Sequence, residues 1–319
     1  MTIKRRSRNV SEPSSTPAKK NGFSLISDKK LIQLYASMFK CRMLEERMRL
    51  HYGQSRPRKT DGTASCQEAA LVGTAIDLLK EDTVHASNLD FLVYFIKGIP
   101  LDQLFGQPIA RFASRDKGRS SRLSTCLKLA TKAALAHQAD KKGQIALAFA
   151  GEESVLHPCW QEELHFAGTN RLPMLFVCQE KQSADPISLK QENKDGDLAQ
   201  EVQSCGFPRI TVDANDVVAV YRVASEAIAH ARKGNGPTLI VCKTYRLNEH
   251  STAGSRKQAA TLQMESPEDH DPILNMEKYL AGKGLFRKQL KASIAADFCE
   301  DLYGAFELVT KSQAAETSP

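Results

Sequence analysis

Five short stretches of this 319-residue chain carry side chains that could do chemistry. Gly151-Glu152-Glu153 and Gln179-Glu180-Lys181 place carboxylates, an amide and an ammonium where two apolar runs end. Carboxylates of this kind can ligate a hard cation such as Mg²⁺, which demands oxygen ligands in near-octahedral geometry. A protonated lysine offers three donors and no lone pair, so Lys181 is no metal ligand. His250, followed by Ser251, suits acid–base work or a phosphate contact; the simpler reading is an exposed loop histidine. His157, Glu162 and His165 suggest a metal cluster, but only Glu162 and His165 share a helical face, so a solvated surface is the simpler expectation. Arg111, Arg115, Lys117, Arg119 and Arg122 form a basic stretch over 110–124 that could meet a phosphate or a nucleic acid; the simpler reading is a solvated loop, and no nucleic-acid partner is expected. No Gly-x-Gly-x-x-Gly, P-loop or Ser-His-Asp arrangement is present.

The elements that would position the first two stretches lie between Ile145 and Lys181. Six apolar residues, Ile145 to Ala150, break at Gly151. A helix-like segment follows, with Pro158 suited to its first turn and Trp160, Leu164 and Ala167 at i, i+4, i+7 spacing. Gly168 offers a stop, and Met174 to Cys178 forms a second apolar run. Two continuous apolar runs around one helix predict a strand–helix–strand unit of a buried parallel sheet. Ligands of such sheets sit beyond the carboxyl ends of the strands, where both polar triplets fall.

The rest of the chain supports an α/β reading. Asp28 is a candidate N-cap for a helix running to Tyr52, with Leu31, Leu34, Tyr35, Met38 and Phe39 on one face. A second helix is expected from Gln67 to Lys80, short helices over 88–98 and 101–105, and an alanine-rich helix from Leu127 to His137. Beyond a charged loop from Gln182 to Asp197, a helix leads to Cys205-Gly206. The strand Arg209 to Asp213, the helix Val217 to Arg232 and the strand Thr238 to Lys243 follow. Residues 252–268 read as a loop, and Lys288 to Val309 as a helix.

The text resembles the α subunit of the E1 component of thiamine-diphosphate-dependent 2-oxo acid dehydrogenases, the pyruvate and branched-chain type. The resemblance runs from about residue 28 to 310. It rests on Leu-Ile-Gln-Leu-Tyr in the first helix, Gln67-Glu68-Ala69, the unit 145–181, Val-Asp-Ala-Asn-Asp-Val, Gly-Pro-Thr-Leu-Ile and Lys-Thr-Tyr-Arg. It implies a three-layer α/β fold with a parallel sheet of the thiamine-diphosphate-binding type. It also implies thiamine diphosphate and Mg²⁺ as cofactors, with Gly151, Glu152 and Lys181 at the cofactor positions and His250 at a catalytic one. The family's Gly-Asp-Gly falls on Gly151-Glu152-Glu153, and its metal-binding Asn falls on Lys181. Its Tyr-Arg pair falls on Asn88 and Leu89, a neighbouring His on Phe91, another His on Gly62, and a cofactor-lining segment on Ser121 to Cys126. The scaffold is kept and the anion grip is replaced, so no metal ligand is assigned.

The formal charge of +7 is concentrated. Residues 1–22 hold Lys4, Arg5, Arg6, Arg8, Lys19 and Lys20 against Glu12, leaving the remainder close to balance. That Ser/Pro-containing stretch is expected to be a disordered basic tail over 1–24, dispensable for folding and without a secretory apolar region. Residues 25–260 are expected to form the E1 α-like domain and 261–319 its helical C-terminal extension. No apolar run is long enough for a membrane span. Eight cysteines without C-x-x-C pairs suggest reduced, buried thiols of a cytoplasmic protein. The functional expectation is a cofactor-degenerate E1 α-like subunit acting in binding or assembly, as a homodimer or with an E1 β-type partner. The alternative is a working α subunit with a rebuilt diphosphate site.

Overall fold

The structure, a computed structural model, describes residues 26–52, 67–86, 90–106, 119–151, 157–182, 205–245 and 270–316. The stretches expected as tail and as the 53–65 and 252–268 loops lie outside these, as do residues 183–197 of the expected charged loop, Glu152 and His250. Among the described residues, five strands form one all-parallel sheet in the order β1-β2-β3-β5-β4. They are β1 (Thr83–Ala86), β2 (Ala146–Gly151), β3 (Met174–Gln182), β4 (Arg209–Asp213) and β5 (Thr238–Tyr245). The central strands β2, β3 and β5 are runs of Ala, Leu, Phe, Val, Ile and Cys because helices cover both of their faces.

One helical layer contains α1 (Asp28–Tyr52), α2 (Glu68–Ala75), α3 (Asp90–Ile96), α4 (Leu101–Gly106), α7 (Val217–Arg232), α8 (Pro272–Gly282) and α9 (Lys288–Glu316). It packs on Leu147, Phe149, Leu175, Val177, Ile240 and Cys242. The opposite layer, α5 (Arg119–Asp140) and α6 (Pro158–Thr169), packs on the alternate residues Ala146, Ala148, Phe176, Cys178 and Val241. The period-two alternation of the strands thus divides the core into two clusters, as the three-layer expectation requires.

Local chemistry sets the helix ends. Ser27 accepts from Lys30 N–H at 3.3 Å, so the cap of α1 is Ser27 and not Asp28, which opens the helix. Asp216 caps α7 through Val218 and Ala219 N–H, and Asp271 caps α8 through Ile273 and Leu274 N–H. Helix α2 stops at Ala75, short of the expected Lys80, because the chain must descend to β1, a four-residue strand hidden between polar neighbours. Helix α5 begins at Arg119, inside the expected basic loop, and Ser121 to Cys126 belong to it. Strands β3 and β5 each run beyond the expected ends, since their ladder continues to Gln182 and Tyr245.

Candidate functional site

The strand ends form a crevice by topology. After β2 the chain leaves to α6 on one face of the sheet, and after β4 it leaves to α7 on the other. Strand β3 stands between β2 and β5, at the switch between the two layers, where parallel sheets bind ligands. Gly151 pairs with Gln179, Gln179 with Cys242, Glu180 with Lys243 and Lys181 with Thr244. Gly151, which opens the first triplet, and Gln179-Glu180-Lys181 are therefore brought to one edge. Of the residues proposed for the cofactor, Gly151 closes β2 and Lys181 lies in the ladder of β3. Glu152 and the candidate catalytic residue His250 lie outside the described residues, as does the Lys181 side chain.

Polar side chains line this edge. Thr244 donates its hydroxyl to the Glu180 carbonyl at 3.1 Å, tying β5 to β3 one residue short of Lys181. Gln179 follows Val177 on the α2/α7 side of the strand, and its Nε2 is buried with no partner among the described residues. Asp213 Oδ1, ending β4, accepts from the Asn215 backbone at 2.9 Å and from its side chain at 2.8 Å. Asn215 Oδ1 and Gln67 Oε1 are buried without partners among the described residues, each side chain at a helix start.

The first turn of α6 follows the Gly151-Glu152-Glu153 stretch. A helix N-terminus ordinarily turns free amides toward an anion. Here Pro158 has no N–H, Cys159 N–H donates to His157 Nδ1 at 3.2 Å, and Trp160 N–H donates to the His157 carbonyl at 2.8 Å. His157 is thus a cap and not a metal ligand, while Glu162 and His165 are exposed, as expected of a solvated face. No group of His, Cys, Asp and Glu among the described residues could hold a metal ion. Burial pushes the thiols of Cys41 and Cys159 up and that of Cys242 to about 12, so these are protonated, unreactive cysteines.

One charged cluster escaped the sequence reading. Arg42 of α1 donates Nε to Glu68 Oε1 at 2.8 Å and a terminal nitrogen to Glu68 Oε2 at 3.2 Å. Its other terminal nitrogen donates to Asp271 Oδ2 at 2.7 Å. Burial pushes the Glu68 carboxyl up against the pull of Arg42. Burial also raises Asp271, but Arg42 and the amides of Ile273 and Leu274 outweigh it and hold that carboxyl below the usual range. The signal was available in Gln67-Glu68-Ala-Ala-Leu-Val, an acid opening an apolar helix that needs a cation to stay buried.

These features define a doubly covered parallel α/β protein with a polar switch-point crevice and no activated nucleophile among the described residues. Residues 35–318 match the family described as the dehydrogenase E1 component, and the chain belongs to that family. It is 28% identical over 290 residues to the 2-oxoisovalerate dehydrogenase subunit alpha of Bacillus subtilis (strain 168), covering 84% of this chain and 87% of that one. The 3-methyl-2-oxobutanoate dehydrogenase subunit alpha of Mycobacterium tuberculosis (strain ATCC 25618 / H37Rv) is 31% identical over 241 residues, 72% of this chain and 65% of the relative. The pyruvate dehydrogenase E1 component subunit alpha of Bacillus subtilis (strain 168) is 27% identical over 291 residues, 88% and 78% of the two chains. The chain is an E1 α-type subunit of the 2-oxo acid dehydrogenase class, as the resemblance implied.

Proposed function

We propose that this chain is the α-type half of a two-chain assembly and that it does not hold thiamine diphosphate through the ordinary magnesium grip. The observation that carries this reading is the donor set at the strand ends. Lys181 stands where the resemblance requires a metal-binding oxygen, and an ammonium has no lone pair to give. A cation at ~4 Å from Mg²⁺ would be repelled by roughly 8 kcal/mol at an effective dielectric of ~20. The α6 terminus adds support, since its first amides are capped internally or missing. Asn88, Leu89 and Phe91 supply no cation in place of the family's Tyr-Arg pair and His. The residues present do not fit the metal–diphosphate group.

In this reading the Lys181 ammonium takes the ion's place and pairs with Glu152, which spares each the penalty of an uncompensated charge. Binding and assembly are then the remaining roles of the scaffold, with an E1 β-type chain as partner. The names of the relatives support this, since each is designated a subunit alpha. Co-expression of this chain with the E1 β-type chain of the same genome, followed by light scattering, tests it. The expected result is a hetero-oligomer. A strictly monomeric mass with no retained partner would overturn the assembly role.

A further inference from the structure

The outer surface of the helical layer carries a groove that the strand-end site does not use. It encloses about 460 Å³ between α1, α8 and α9, and its apolar lining comes from Phe39, Phe286, Ala292 and Ala295. Two lysines of the first turns of α9, Lys288 and Lys291, stand on its rim beside Glu277. Lys291 is already engaged, with Nζ 2.9 Å from Glu277 Oε1 and 5.3 Å from the centre of the Phe39 ring.

The stretch of chain that forms the α8–α9 side of the groove is basic, with Lys288 and Lys291 of it lining the groove beside Glu277. Between Glu277 and Asp297 the chain carries Lys278, Lys283, Arg287, Lys288 and Lys291 and no acidic residue. No acid occupies the first turn of α9, where the macrodipole is positive and a carboxylate would be favoured. Lysines at that position oppose the local field, which an incoming anion would relieve. Lys278, Lys283, Arg287 and Lys288 are all exposed.

We infer that this groove is a docking surface for an acidic segment of a partner protein, with an apolar side chain of that segment seated on Phe39, Phe286 and the α9 alanines. Charge complementarity excludes the nearest competitors. Residues 1–22 of the chain are strongly basic, and a second copy meeting the patch face to face would oppose like charges. A nucleic acid would satisfy the lysines but finds no free ring to stack on. Phe39 is stacked on Tyr35 at an interplanar angle of 3° and has Lys291 over its ring, and Phe286 meets Tyr35 edge-on. An aliphatic side chain needs only the space that the alanines leave.

The inference goes beyond the proposed function and does not depend on whether a cofactor binds, because no strand-end residue lines the groove. Its test is a fluorescence-anisotropy titration of the full chain with a short labelled peptide of glutamates around a central leucine pair. A single-stranded oligonucleotide of the same charge is the second probe. Saturable peptide binding is expected, weakened roughly tenfold by Lys283→Glu with Lys288→Glu. Ala292→Lys, which fills the apolar floor while adding a positive charge, is expected to weaken the peptide as well. Unchanged thermal melting establishes that each variant is folded. Absence of saturable peptide binding, tighter binding by Ala292→Lys, or a preference for the oligonucleotide overturns the assignment.

Discussion

Glu68 sits on a helix whose eight residues are all buried, and its carboxylate persists there because Arg42 meets it with two nitrogens. The same guanidinium reaches Asp271, which also caps α8, so one side chain fastens α1, α2 and α8. Arg42→Met is expected to cost about 3–5 kcal/mol in denaturant unfolding, because it strands a buried charge. Adding Glu68→Gln to it should recover a large part of that loss; no recovery would show that Arg42 acts through packing alone. His85 makes a second residue-level case. Burial, and then the neighbouring His137, hold its imidazole below the ordinary value of 6.5. The unfolded chain then binds a proton that the folded one refuses, so stability falls as pH drops from 6.5 toward the lowered folded value. His85→Gln should flatten this part of the pH–stability curve, as read by thermal melts across it.

Helices α2 and α7 approach so closely that a Cβ on Gly73 would come 2.6 Å from Val220 Cγ1 and 3.1 Å from the Tyr221 amide nitrogen. Gly73→Ala should therefore cost roughly 1–3 kcal/mol, despite alanine's better helix propensity, with Val220→Ala as the compensating second change. A neutral or stabilising Gly73→Ala would show that the helices slide apart freely. Elements with strong periodicity and caps were legible in the sequence. Helix α7 runs from Val217 to Arg232 as expected, and the 145–181 unit forms with Pro158 in the first turn of its helix. Strand β1 was not legible, because Thr83-Val-His-Ala lacks an apolar run; its place comes from pairing with β2 and from Asp82, whose carboxylate accepts Ile145 N–H at 2.9 Å. At the site, the placing of Gly151 and Gln179-Glu180-Lys181 at adjacent strand ends was legible from chain order alone. The His157 cap was not, because histidine is an uncommon N-cap and its imidazole suggested metal chemistry instead.

At the scale of the whole molecule, the core is divided by the sheet into two clusters, and the proposed reading is that the polar edge which would serve a diphosphate has been rebuilt. The parallel sheet has both faces covered, and the Arg42 network joins three of the covering helices. In the proposed reading the scaffold offers surface, to a β-type subunit and, at the α1/α8/α9 groove, to an acidic segment. The most direct measurement is a calorimetric titration of the unmodified chain with thiamine diphosphate and Mg²⁺, alone and in complex with its β-type partner. No saturable heat is expected in either case, nor after Lys181→Asn with Glu152→Asp, since Asn88, Leu89 and Phe91 still leave the diphosphate ungripped. Saturable, Mg²⁺-dependent binding by the unmodified chain, abolished by Glu180→Ala, would contradict the account and make this a working E1 α subunit.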